Sequence, residues 1–155
     1  MNNPNVLSSC MKHFEAHKAN CSGFVNAVAR DFHIELGGQA NHIFLTLQSR
    51  PEIKKYGVGW DAARSAASDA VAGLYLVIAA SFVRDGNGHV VIVTGLTDSG
   101  EVIVWGGKLD QPDLASKGQH IQGWGGWAKY KLTHPYVVRE QPAFFGVPIP
   151  IPFIA

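Results

Sequence analysis

Asn20-Cys21-Ser22-Gly23-Phe24-Val25-Asn26-Ala27-Val28-Ala29-Arg30 is the stretch on which the fold turns. Phe24, Val28 and Phe32 recur at helical spacing, and Val25 and Ala29 widen the same apolar face, which predicts a helix. Asn20 is a favoured N-cap residue directly ahead of it, so Cys21 falls in the first turn. There the unpaired N–H groups and the positive end of the helix dipole favour an anion. A thiolate is such an anion. A free thiol ionises near pH ~8.5, and a helix start or a neighbouring imidazolium lowers that value, so the expectation is an activated cysteine. The plain alternative is an inert core thiol, the usual state of a lone buried cysteine. Ser22 and Gly23, small enough to leave room for a substrate carbonyl, favour the first reading.

Upstream, Val6 to His17 reads as a helix that places Cys10 with Leu7, Met11 and Phe14, and Lys18-Ala19-Asn20 is the bend into the second helix. That second helix is expected to end near His33, because Gly37-Gly38 is a strong stop. Asn41 to Gln48 suggests a third helix, and Pro51 opens a turn-rich link to Trp60. Asp61 is read as the cap of a small-residue helix, Ala62 to Ala72. Leu74 to Ala80 is an unbroken apolar run and should be a buried central strand. Arg84-Asp85-Gly86-Asn87-Gly88 is a loop that delivers His89 to the head of a strand, Gly88-His89-Val90-Val91-Ile92-Val93. His89 to Thr94 and Glu101 to Trp105 form a hairpin through Thr97-Asp98-Ser99-Gly100. Gly106 to Tyr130 reads as long loops with at most a short strand, and Tyr136 to Arg139 as a last strand. The tail, with Pro148, Pro150 and Pro152, is expected to run extended outside any central sheet position. The whole chain, 1–155, is read as a single α+β domain with helices packed on a central antiparallel sheet.

The bulk properties exclude several function classes. Thirteen basic and 12 acidic side chains leave a net charge of +1 over 155 residues, without the clustered Lys and Arg that nucleic acid requires. The first 20 residues carry no signal-peptide pattern. The longest apolar stretch, Ala70 to Val83, is too short to span a bilayer. A cytosolic site of synthesis and no membrane partner are the corresponding expectations. His13 and His17 stand four apart but lack a HExxH pattern, so no metal and no cofactor are expected. Trp105-Gly106-Gly107-Lys108 lacks the ending of a phosphate loop. A Cys10–Cys21 disulfide would close a short loop and consume the thiol.

Asn20-Cys21-Ser22-Gly23-Phe24-Val25, followed by Gly88-His89-Val90 on a β-branched strand, resembles the Cys and His motifs of the NlpC-type papain-like peptidases. Within that superfamily the chain is most similar to the type VI secretion amidase effectors, small toxins that cut peptidoglycan peptides. Ala70-Val71-Ala72-Gly73-Leu74-Tyr75-Leu76-Val77-Ile78-Ala79 resembles the strand before the His motif in those effectors. The resemblance covers about 45 residues. It implies a papain-like NlpC-type fold and cleavage beside meso-diaminopimelate, at the γ-D-glutamyl bond or at the cross-link to D-alanine. It further implies a cognate periplasmic immunity protein, and delivery by a type VI system into a recipient's periplasm without a cleaved leader.

In this scheme Cys21 is the nucleophile, His89 the general base, and the backbone N–H at the helix start an oxyanion donor. Cys before His is the papain-like order; permuted relatives place His first. A third group normally orients the imidazole. A turn centred between Asp98 and Ser99 sets His89 opposite Lys108, close to Gly106 and Gly107. The candidates are therefore the backbone carbonyl of Gly106 or, alternatively, Asp110 reaching back. Asn20, Ser22, Trp105 and Trp124 are candidates for substrate contact, the tryptophans having core packing as their alternative role. Two other functions compete: a non-catalytic wall- or partner-binding module on the same fold, and a cytosolic cysteine amide hydrolase.

Overall fold

The computed structural model describes residues 1–120 and 142–150. Helix α1 (Pro4–His17) starts where Asn3 Oδ1 accepts from the N–H groups of Asn5 and Val6, at 3.0 and 3.2 Å, with Pro4 in the first turn. Helix α2 (Cys21–Asp31) is capped by Asn20 as expected, and it ends two residues early, with His33 at φ 60°. Helix α3 (Ala40–Ser49) precedes a short exposed strand, β1 (Lys54–Val58), which the turn-rich reading of this link had missed. Helix α4 (Trp60–Ala72) begins ahead of Asp61, which lies in the first turn and is not its cap; Gly73 closes it in the left-handed conformation at φ 85°.

Four further strands alternate with turns: β2 (Tyr75–Ser81), β3 (His89–Leu96), β4 (Val102–Gly106) and β5 (Ser116–His120), the last preceded by a 3-10 turn at Pro112–Leu114. Strand β6 (Ala143–Pro148) is inserted between β1 and β2, giving an antiparallel six-stranded order β1-β6-β2-β3-β4-β5. This corrects the expectation that the proline-bearing tail stays out of the sheet interior. Ala143 to Val147 carry the pairing, and Pro148 comes last, opposite Tyr75, where a missing N–H is tolerated. The suggested strand Tyr136–Arg139 lies outside the described residues.

Strand alternation divides the core in two. On one face Leu76, Ile78, Val90, Ile92, Trp105 and Phe145 pack under α1, α2 and α3 with Phe14, Phe24, Ile43 and Leu47. On the other, Val77, Ala79, Val91, Val93, Val102, Val104 and Phe144 meet the alanine stripe of α4, Ala62, Ala63, Ala66, Ala67 and Ala70. The two layers are joined at one end, where Asn3 Nδ2 donates to Ala70 O at 3.2 Å and Asn3 N–H to Thr94 O at 2.9 Å. Among the described residues no helix is long and apolar enough to cross a membrane.

Candidate active site

Cys21 is the first residue of α2, held there by a short polar clasp. Asn20 Oδ1 accepts from Gly23 N–H and from Ser22 Oγ, both at 3.0 Å. The bend before it is fixed from outside as well. After β4 the chain passes over residues 17–20: Lys108 N–H donates to Lys18 O at 2.9 Å and Asp110 N–H to Ala19 O at 3.1 Å. Gly107 makes this possible, because a Cβ there would stand 2.7 Å from Asn20 O and closer still to His17 O. The nucleophile candidate is thus braced by the exit of β4.

The same strand sets the relation to His89. Ile92 faces Trp105 and Val93 faces Val104, and Gly106 lies against Val91; beyond Gly106 the chain turns off toward residues 17–20 before it reaches His89. The N–H groups of Val90, Ser22 and Cys21 itself point at the Cys21 sulfur and favour its anion. A strand N–H lies in the plane of its sheet, so the sulfur takes the place beside β3 that β4 has left. His89 is the next residue along β3, one peptide away. By alternation its side chain shares the side of Val91, whereas Val90 faces α2. An imidazole leaning toward the sulfur therefore does so round the strand margin, not across the α2-facing core.

The electrostatics differ from the activated pair expected of a helix start. Burial raises the Cys21 thiol above its ordinary value, outweighing the Val90 and Ser22 amides and the nearby Lys108 ammonium, which all pull it down. His89 is 7% exposed; burial, with Lys108 adding to it, pushes its pKa down to about 3. At rest the thiol and the imidazole are therefore both neutral. Cys10 is also a free thiol, wholly buried, and its pKa is driven far up by burial alone.

Cys21 forms part of the wall of an open pocket of about 240 Å³ between the starts of α2 and α3 and the loop before β3. Asn20, Ser22, Gln39, Asn41 and Asn87 supply its polar lining, with Leu109 at one side. Asn41 ties the loop down: its Nδ2 donates to Val83 O at 2.8 Å and Gly86 O at 3.0 Å, while its Oδ1 accepts from Val83 N–H at 3.0 Å. Gly88 passes so close that a side chain would strike Asn41 Oδ1 and Ser81 O. The segment leading to His89 is thereby fixed to α3.

The remaining candidates separate clearly. Asn20 and Ser22 line the pocket. Gly106 lies against Val91, where a Cβ would come within 2.8 Å of its Cγ1, so it is two residues removed from the position facing His89. Asp110 is exposed, with φ 56°, and its N–H is committed to Ala19. Among the described residues β4 does not extend opposite His89: it ends at Gly106, and Lys108 turns to Lys18 instead. Trp105 is a core residue, 6% exposed and edge-on to Phe14 with ring centres 5.7 Å apart, which matches its alternative role in core packing. Trp124 lies outside the described residues. His13 pairs with Asp31, Nε2 to Oδ2 at 2.9 Å, beside Ser9 and Lys12. Among the described residues no group of three or more His, Cys, Asp or Glu side chains is placed to hold a metal ion.

Sequence reasoning overlooked Asn41, Gln39 and Asn87, and read Lys108 only as a neighbour in register. Asn41 looked like an ordinary first-turn residue; the signal that was there is an Asn at a helix start paired with a Gly-rich loop 45 residues on. No protein-family model matches the chain, and no curated protein matches it either.

Proposed function

We propose that this chain is a cysteine amidase that hydrolyses peptidoglycan stem or cross-link peptides beside meso-diaminopimelate, on a papain-like NlpC-type version of its α+β fold, and acts as an interbacterial toxin. The observation that carries the proposal is the Cys21 sulfur, set on the Val90 N–H one peptide from His89 and in the wall of an open pocket. The order of thiol-bearing helix and histidine-bearing strand agrees with it. Delivery by a type VI system and a periplasmic immunity protein that plugs the pocket belong to the same proposal.

The chemistry follows from a neutral resting pair. The Cys21 proton passes to His89 as the sulfur attacks the amide carbonyl, and the N–H groups at the start of α2 hold the oxyanion. His89 returns the proton to the leaving amine, and water then cleaves the thioester with the same side chain as base. Because burial opposes both the thiolate and the imidazolium, proton transfer and attack are concerted; no preformed ion pair waits for substrate.

Purified sacculi incubated with the protein, and with Cys21→Ala, test this directly by mass spectrometry of the released muropeptides. The expected outcome is new peptide termini with the wild type and a loss on the order of 10³-fold or more with the variant. Identical products from both proteins would end the catalytic reading and leave a second one: a wall-peptide-binding module on the same fold, which the protonation-resistant pair at rest favours.

A further inference from the structure

We propose that Lys108 is the anion-recognition residue of this site, selecting amide substrates that carry a carboxylate beside the scissile bond. The inference rests on the proposed amidase reading for the word substrate, but not for the geometry. Lys108 stands two residues past the end of β4, in the segment that crosses the bend before Cys21. Its own N–H donates to Lys18 O, two residues past which the chain reaches the Asn20 cap. Leu109, its neighbour, lines the pocket. The residue is therefore held against the bend that bears the sulfur, next to the pocket wall.

Its surroundings leave its charge available. Lys12, Lys18 and Lys54 each pair with a carboxylate, at 3.4, 2.8 and 2.8 Å, while among the described residues Lys108 enters no ion pair. Among the described residues the pocket lining beside it is made of carboxamides, a hydroxyl, the thiol and apolar groups, with no carboxylate. A half-buried ammonium next to an uncharged polar pocket attracts anions more strongly than one in open solvent. The field of Lys108 reaches both reacting groups: it favours the sulfur anion and disfavours the imidazolium. A substrate carboxylate seated on it would cancel the second effect, so the right substrate would make His89 a better proton acceptor.

The test uses two alkylating probes of equal size and opposite demand, anionic iodoacetate and neutral iodoacetamide, at low ionic strength. Rates are followed at Cys21 by peptide mass spectrometry on the whole chain. For wild type the ratio of iodoacetate to iodoacetamide rates is expected to exceed that of Lys108→Met by about fivefold or more, to persist in Lys108→Arg, and to shrink with added salt. Lys108→Gln serves as a second neutral variant should the Met protein not fold. An unchanged ratio in the neutral variants overturns the proposal, as does a Cys21 that neither probe reaches. Sacculus cleavage by wild type with an unchanged ratio would remove Lys108 alone. A changed ratio without any thiol-dependent cleavage would keep an anion site and remove the amidase.

Discussion

The two faces of the sheet are built to different rules. Under α4 the partners are small: five alanines close on valines, an alanine and Phe144. Under α1, α2 and α3 the partners are large, Phe14, Phe24, Ile43, Leu47, Trp105 and Phe145 among them. This second face runs out into the pocket at the starts of α2 and α3. Large side chains let helices stand off the sheet and end at its margin, where a sulfur can meet a strand N–H. Alanine packing draws a helix down flat and leaves no such opening.

The difference should be most visible in how each face answers a change of volume. Phe24→Ala removes a fully buried ring and is expected to destabilise by about 3–5 kcal/mol. On the α4 face the costly change is addition: Ala67→Leu, at a fully buried site, should cost about 1–3 kcal/mol by overpacking. Chemical denaturation of both variants checks the pair. Equal tolerance of Leu at Ala67 and of wild-type Ala would break the comparison.

A second contrast is chemical. The buried imidazole of His89 resists protonation to about pH 3, whereas an unfolded chain takes up the proton near its ordinary value of 6.5. Its contribution to stability is thus complete above pH 6.5 and is lost as the pH falls, at up to about 1.4 kcal/mol per pH unit. Between pH 6.5 and 5 the wild type should lose about 2 kcal/mol more than His89→Gln. Parallel slopes for the two proteins in urea titrations would show that the side chain is solvated, not buried.

How much of this was legible in the sequence follows from the same physics. The α2 helix, its Asn20 cap, the buried β2 run and the β3–β4 hairpin could all be read, because each is specified by local spacing and by residues within a few positions of one another. β1 was missed because Lys54, Lys55 and Val58 are exposed on an edge strand with no alternation to betray it. β6 was missed because its neighbours, β1 and β2, lie some 60 and more residues away in the chain. Its prolines obscured the apolar Phe144-Phe145 pair. The thiol's state was misjudged for a different reason: a helix start was weighed without the burial that the sheet margin imposes. Trp105 illustrates the same limit, since nothing local distinguishes an aromatic that lines a groove from one that meets Phe14 in the core.

The smallest effect expected sits at the junction of the two kinds of construction. Asn41→Ala deletes three hydrogen bonds to the 83–86 segment, yet that segment is a surface loop whose freed groups can turn to water. The cost in global stability should therefore be modest, about 1–2 kcal/mol, and less than either core substitution. The local consequence is larger than the global one. Val83 N–H loses its acceptor and the loop its tether, so hydrogen exchange at Val83 should accelerate while amides in β2 and α4 stay protected. Because the loop leads straight into His89, turnover of sacculi should fall while alkylation of Cys21 by iodoacetamide, which needs only the sulfur, should change little. A drop in both together would mean that Asn41 supports α2 and the pocket as a whole. A drop in turnover alone would locate its role in holding the histidine-bearing strand in register with the sulfur.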